Sequence, residues 1–419
     1  MTPLVQLESL TKQAYNADDL SCIEALLLKN GTLAITPLPS GLFAASSGVA
    51  EQSQTGYQNV WLRDNVMVAN SFLLRGDTET ARRTVKALTA LLQTQESHFE
   101  AIIQDPVRMQ NVQERPHVRF SLDHQDAESE KWPHAQNDAL GYALWLRFVL
   151  ANAGQLDVSS SEFKLYRLFP LYFNAIEYWN DADSGAWEED LKINSSSIGA
   201  VVAGLSQMSL WLSKNKLMND DRDVEHVVET LIAKGKAQLQ MSIPHESPPI
   251  RGADGALVFL LYPSDVLTYD QQNSVLDLVR SKLEREIGII RYVGDSYYGQ
   301  DYPDWFSEAE LTADFSERVE IRNAKLKPGF EAQWCLFDPL LSVIYGKRFL
   351  ANPRGRSNLE QQTRYFNRSL RQLSDDLKCP ELYYFRHGKW IPNPHLPLAW
   401  TQANLALALH FMKKSAASA

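Results

Sequence analysis

The spacing of apolar positions is helical nearly from end to end. Leu62, Val66, Ala69 and Leu73 fall on one face of a helix, as do Ile198, Val201, Val202, Leu205 and Met208. Apolar residues repeating every three to four positions form a stripe that must be buried against a neighbour. Similar stretches begin near Leu20, Thr78, Ala135, Glu162, Asp221, Asp270, Glu331, Leu359 and Leu398, separated by turns rich in Gly, Pro, Asn and Asp. Few strand-like alternations compete, so the pattern predicts an all-α chain of about a dozen helices. One start carries its own signature: Thr268, followed three positions on by Gln271, forms a capping box in which each side chain satisfies a backbone N–H.

Two long stretches, 99–131 and 292–330, are poorly helical. Long ordered loops in a compact domain tend to form binding surfaces, so both are expected to flank a site. No low-complexity linker interrupts the chain, and the Pro-rich stretch 243–251 is too short to separate two folding units. The expectation is one domain over residues 1–419. No strong repeat marks a solenoid; helices of similar length in succession either stack or close into a ring, and periodicity fits both.

Composition narrows the partners. With 44% hydrophobic and 22% charged residues, the chain has enough apolar surface for a large core and is not of disordered composition. A formal net charge of −10 leaves no concentrated basic surface, which excludes nucleic acid and anionic membrane as expected partners and suits a small neutral ligand. No apolar run approaches membrane-spanning length and no basic stretch precedes an apolar one at the start, so a cytoplasmic location is expected. Cys22, Cys335 and Cys379 lie too far apart for a disulfide framework or paired metal ligands. The 10 Trp, 16 Tyr and 17 Phe often stand near acids, as sugar sites require, although a large core also needs rings.

Three constellations carry candidate chemistry. In Gly185-Ala186-Trp187-Glu188-Glu189 a carboxyl beside an indole loses solvation in its charged form, which raises its pKa and suits Glu188 to donate a proton. The same two acids also fit a helix N-terminus, where negative charge is favoured. Arg63 and Asp64, at the start of an apolar helix after Tyr57-Gln58-Asn59, read equally as a hydroxyl-binding set or an ion pair. Glu381 is isolated among Cys379, Pro380, Leu382, Tyr383 and Tyr384, and a buried ionised carboxylate is costly unless bonded or used. A surface loop would hold such an acid just as well. Glu331, a competing acid in Gly329-Phe330-Glu331-Ala332-Gln333-Trp334, reads either as lying near the pocket or, in preference, as favouring the start of the next helix. No zinc pattern, phosphate-cradling loop, nucleophile elbow or dinucleotide fingerprint is present, which leaves cofactor-free carboxylate chemistry.

Taken in order, the motifs resemble glycoside hydrolase family 15, the glucoamylases, together with the related domain of phosphorylase kinase α and β subunits. Trp61-Leu62-Arg63-Asp64 is similar to the family's Trp-x-Arg-Asp, which implies that Arg63 and Asp64 grip sugar hydroxyls. Trp132-Pro133-His134-Ala135-Gln136-Asn137-Asp138 resembles the segment with a substrate-stacking Trp, and carries Trp132 and Asp138 into the candidate site. Gly185 to Glu189, followed by Ser195-Ser196-Ser197-Ile198-Gly199, resembles the general-acid segment, implying Glu188 as acid with Trp187 and Glu189 beside it. Arg291-Tyr292-Val293-Gly294-Asp295-Ser296-Tyr297-Tyr298 is similar to a segment whose Arg contacts hydroxyls, which adds Arg291 and Asp295. After a charged insertion come Trp334, then Glu381 in the place of the family's base, then Trp400.

The resemblance runs from about Gly56 to about Ala408, and five motifs in order are more specific than any one. It implies an (α/α)6 barrel, six helical hairpins closed into a toroid, and inverting hydrolysis of α-linked, malto-oligosaccharide-like glucosides. Glu188 would act as acid and Glu381 as base, without cofactor or metal. A pocket without turnover, as in the phosphorylase kinase domain, is the alternative function. Preference for trehalose or an α-1,6 linkage is open, because the linkage is chosen by outer-subsite loops. Pro380 and Leu382 depart from the family's Ser and Gln around the base, and no starch-binding module is attached.

Overall fold

The computed structural model describes residues 2–47, 56–121, 132–215, 222–307, 310–311 and 319–418. Helices α1 (Pro3–Leu10) and α2 (Ala17–Lys29) precede α3 (Leu62–Leu74). The chain then runs outward through α4 (Thr78–Gln93) and α5 (Glu96–Gln104), inward along α6 (Asn137–Asn152), out along α7 (Ser160–Ala175) and in along α8 (Ser195–Lys214). Helix α9 (Arg222–Ser242) leads to a short 3-10 segment, Gly255–Leu260. Helices α10 (Tyr269–Lys282) and α11 (Val319–Asn323) precede α12 (Phe337–Ala351), and α13 (Arg356–Arg371) precedes the last helix, α14 (Ala399–Ser418).

The ring closes. Helices α3, α6 and α8, the 3-10 segment, α12 and α14 touch in that order, and α14 returns to α3. Each is preceded by an outer helix, giving the (α/α)6 barrel, with a 3-10 turn standing where the fourth inner helix belongs. Burial separates the two layers. Every residue of α6 from Asn137 to Phe148 is buried, as an inner stave surrounded by neighbours requires. In the outer α13 only Gln362, Thr363, Tyr365, Phe366, Ser369 and Leu370 are buried, one stripe at helical spacing. Helices α6 and α8 approach backbone to backbone: a Cβ at Gly141 would lie 2.6 Å from the carbonyl carbon of Ala200, and one at Gly204 2.6 Å from the Gly141 oxygen.

Two small sheets sit at the starts of inner helices. Strand β1 (Val60–Trp61) pairs antiparallel with β2 (Arg119–Phe120) and runs directly into α3. Strands β3 (Gln333–Trp334), β4 (Leu382–Arg386) and β5 (Lys389–Pro392) form an antiparallel sheet in that order, with Trp334 opposite Leu382. This sheet corrects one expectation. Residues 331–336 do not begin a helix; Gln333 and Trp334 are extended against β4, and α12 starts only at Phe337. Glu331 is buried and accepts the N–H of Gly294 at 2.9 Å instead of capping a helix. The other expected starts lie within three residues of the observed ones, and the Thr268–Gln271 capping box is present, with Thr268 N–H donating to Gln271 at 3.0 Å. Helices α1, α5 and α11, the last inside the second poorly helical stretch, are 8, 9 and 5 residues long, too short to show a helical repeat.

Gly141→Ala should force α6 and α8 apart, costing about 1–3 kcal/mol as overpacking does. Denaturant unfolding reads this as a lower midpoint at unchanged slope; an unchanged midpoint would mean that the contact gives way freely.

Candidate active site

The inner helices all begin at one end of the barrel, and the segments leading into them line a cavity of about 140 Å3. Arg63 and Asp64 come from the first turn of α3, and Trp132 from the approach to α6. Trp187 and Glu188 come from the loop before α8, Trp334 from β3, Glu381 from the residue before β4, and Trp400 from the start of α14. Arg291, Arg322, Tyr57, Trp61 and Tyr297 complete the polar and aromatic wall.

Glu188 ends the 3-10 turn Gly185–Trp187 at φ 58°, ψ 42°, a left-handed conformation uncommon for any residue but glycine. That turn sends two adjacent acids to opposite sides. Glu188 lines the cavity and accepts from Arg63 Nη2 at 3.3 Å and Gln136 Nε2 at 3.2 Å. Burial pushes its carboxyl above the ordinary range, against the pull of the Arg63 and Arg119 charges. Glu189 lies behind the wall. Its oxygens take Arg291 Nη2 at 2.8 Å, Tyr292 Oη at 2.6 Å and a short contact from Arg322, with Arg251 3.7 Å away. Burial opposes the Glu189 charge, but the guanidiniums of Arg291, Arg322 and Arg251 outweigh it and hold the carboxyl well below the usual range.

Glu381 is 6% exposed. Both of its oxygens lie 2.9 Å from the Tyr57 hydroxyl, and Asn393 Nδ2 donates to Oε2 at 2.7 Å. Tyr57 has one proton to give, so when Glu381 takes it the Tyr297 hydroxyl, 3.1 Å away, donates in turn to Tyr57. Burial raises the Glu381 carboxyl to about 7 even though Tyr57, Asn393 and the Arg291 charge favour its ionised form. Burial also raises Asp64 to about 7, against the attraction of Arg63.

The arginines are fixed from behind. Arg63 Nη1 donates to Asp138 and Gln136, each at 3.0 Å, and Arg291 donates to both oxygens of Asp295 at 2.7 Å. Such paired, charge-assisted bonds set a guanidinium's plane as well as its position. Aromatic rings pack the remaining wall: Trp187 lies 5.6 Å from Trp334 and donates to Asp254 at 2.8 Å, Trp400 stacks on Phe259 at 5.3 Å, and the Arg119 guanidinium sits 3.7 Å over Trp132.

Among known families, residues 25–240 match the model of glycosyl hydrolases family 15. The chain belongs to that family. As a family 15 glycoside hydrolase it shares its fold with solved structures over nearly its whole length. One is a glycosidase variant in complex with glucose, 16% identical, with a TM-score of 0.65 over 98% of this chain and 97% of that one. Another is the glucoamylase of Saccharomycopsis fibuligera, 14% identical, with a TM-score of 0.63 and 98% of both chains covered. A third, the family 15 glucoamylase of Hypocrea jecorina, is 14% identical at a TM-score of 0.61 over 94% of this chain and 72% of the other. Among curated proteins, the uncharacterized lipoprotein YgeQ of Escherichia coli (strain K12) is 24% identical over 168 residues, 36% of this chain and 64% of that relative. The match thus spans less than two thirds of YgeQ. No helix among the described residues is long and apolar enough to cross a membrane.

Of the residues singled out in the family 15 motifs, Glu188, Glu381, Arg63, Asp64, Trp132, Trp187, Arg291, Trp334 and Trp400 meet at the cavity. Asp138, Glu189 and Asp295 were expected at the sugar and are not on the lining; their carboxylates are turned to Arg63, Arg291 and Arg322, whose charges they balance. Tyr57, Tyr297, Asn393 and Arg322 were missed. Tyr57 and Tyr297 stand inside quoted motifs, where a hydroxyl on a ring was the available signal. Arg322 lies in the stretch 292–330 that was expected to flank a site, but in a charged part of it where no motif singles out a residue.

Glu189→Gln should leave buried Arg291 and Arg322, with half-buried Arg251 beside them, short of charge and cost about 3–5 kcal/mol at neutral pH. Because Glu189 is depressed in the folded state, its contribution is complete above the ordinary carboxylate value of about 4 and is lost as pH falls through the lower folded value. Denaturant unfolding should therefore show the gap between wild type and variant narrowing below about pH 4; a constant gap would contradict the assignment.

Proposed function

We propose that this glycoside hydrolase cleaves α-linked glucosides of the malto-oligosaccharide kind with inversion, Glu188 protonating the leaving oxygen and Glu381 deprotonating the attacking water. The observation that carries this reading is a pair of buried carboxyls, one from the loop before α8 and one from the residue before β4, that face the same small cavity and are each bonded to different partners. Glu381 receives two hydrogen bonds that favour its charged form, and at about 7 it is poised as a base near neutral pH. Glu188 is raised by burial, as an acid that must stay protonated requires.

The transition state of glycoside cleavage is a flattened sugar ring bearing positive charge. Asp64 and Glu381 supply negative charge near it, while Arg63 and Arg291, rigidly held by Asp138 and Asp295, offer donors to hydroxyls at fixed positions. The tryptophans exclude water other than the nucleophile. A glucose-bound glycosidase and two glucoamylases of the same fold support glucose as the sugar held here. The ligand is then small and neutral, and no cofactor takes part.

Maltose, maltotriose, isomaltose, trehalose and soluble dextrin, offered in turn, should separate the linkages, with the anomer of the freed sugar read by proton NMR. The expected product is β-glucose from the malto-oligosaccharides, with Glu188→Gln and Glu381→Gln each slower by about 100-fold or more. α-Glucose as the first-formed anomer cut from the non-reducing end of maltotriose or dextrin would exclude inversion; sugar binding without release would leave a carbohydrate-sensing module in place of an enzyme. A separate expectation concerns pH. Since the base must be ionised, kcat/KM should fall below about pH 7, and Tyr57→Phe, which removes a donor to the charged form, should move that limb to higher pH.

A further inference from the structure

We infer that His395 is a positioning residue for Glu381, acting through the Tyr57 ring; the inference rests on the reading of Glu381 as the base. Tyr57 stands on the turn closed by the Asn59 N–H on the Gly56 carbonyl, outside any helix or strand. Such a turn does not by itself fix the direction of a phenol. Yet the Tyr57 hydroxyl reaches both Glu381 oxygens at an equal 2.9 Å, a geometry that needs the ring held in one plane.

His395 supplies that plane. Its imidazole is 1% exposed and lies flat on the Tyr57 ring, with centroids 3.8 Å apart and 6° between planes. The imidazole is held in turn: Nε2 lies 3.2 Å from the Tyr298 hydroxyl, and Tyr298 is fully buried, stacked on Tyr302 at 4.7 Å. His395 also shares a short segment with Asn393, which donates directly to Glu381. One stretch between β5 and α14 therefore serves the carboxylate twice, by a hydrogen bond from Asn393 and through a stacked ring from His395.

The support does not switch over the neutral range. Burial pushes the imidazole down to about 4, so the ring is uncharged well above that pH and the stack is one of two neutral aromatics. The charged and titratable groups about Glu381 are Tyr57, Tyr297, Tyr298, Arg291, Asp64 and Cys335. Of these Tyr57 alone both donates to the carboxylate and lies on His395. Loosening the Tyr57 ring weakens a bond to the charged form, and the proton affinity of Glu381 rises.

The test compares two variants of similar apolar bulk. His395→Leu fills the space without a flat face, whereas His395→Phe restores the face. The Glu381 titration is followed by carbon-13 NMR on protein labelled at the glutamate carboxyl carbon, with the signal assigned by Glu381→Gln. His395→Leu is expected to raise the midpoint by about half a pH unit or more, and His395→Phe to keep it within about 0.2 of wild type. In a Tyr57→Phe background the leucine variant should add no further shift. Equal midpoints for the leucine and phenylalanine variants, or a shift that persists without the Tyr57 hydroxyl, would overturn the inference. The titration needs no turnover: a chain that hydrolyses no glucoside sinks the reading of the site, while the NMR midpoints still decide the part played by His395.

Discussion

Six inner segments that start at the same end of a ring bring six sets of unbonded backbone N–H groups, and the positive ends of their dipoles, to one place. At three of these starts acids supply the acceptor. Asp183, from the loop before α8, accepts the N–H of Asn137 at the start of α6 at 2.9 Å. Glu246, after α9, accepts the N–H of Ser196 at the start of α8 at 3.2 and 3.3 Å, and Asp254 accepts that of Ala256 at 2.8 Å. Two of these acids cap a helix other than their own, which ties neighbouring hairpins together at the end where the cavity lies. The carboxylates that line the cavity belong to the same population: a fold that gathers helix starts is a fold that tolerates buried acids.

Arginine makes the second demand. Cations on the cavity wall add to the positive ends already there, and each needs a fixed counter-charge to keep its direction. Asp138 and Asp295 meet that need one to one, whereas Glu189 serves several guanidiniums at once. The labour divides at the left-handed turn of Glu188, with one acid on the cavity and its neighbour on the guanidiniums behind the wall. The charge on the inside of the wall is thus set by the charge on its outside.

The helices were legible because a stripe of apolar residues can be satisfied in one way, and the lining was legible because its residues sit in motifs at characteristic spacing. What stayed hidden depends on distant contacts. Residues 331–336 look like the beginning of α12, and only pairing with β4, some fifty residues on, makes Gln333 and Trp334 extended. The burial of Arg322 follows from Glu189, 133 residues earlier. Nor does a motif say which way a carboxyl turns: Asp138, Glu189 and Asp295 stand at the right positions in the chain, and their orientation toward arginines appears only in three dimensions.

The bond from Tyr57 to Glu381 joins residues 324 positions apart. A contact at that separation closes a very long loop, whose entropy the rest of the ring must offset. A ring left open would lack the bond from Tyr57 to Glu381. The first and last hairpins meet at this clasp, so a complete cavity records that the ring has closed.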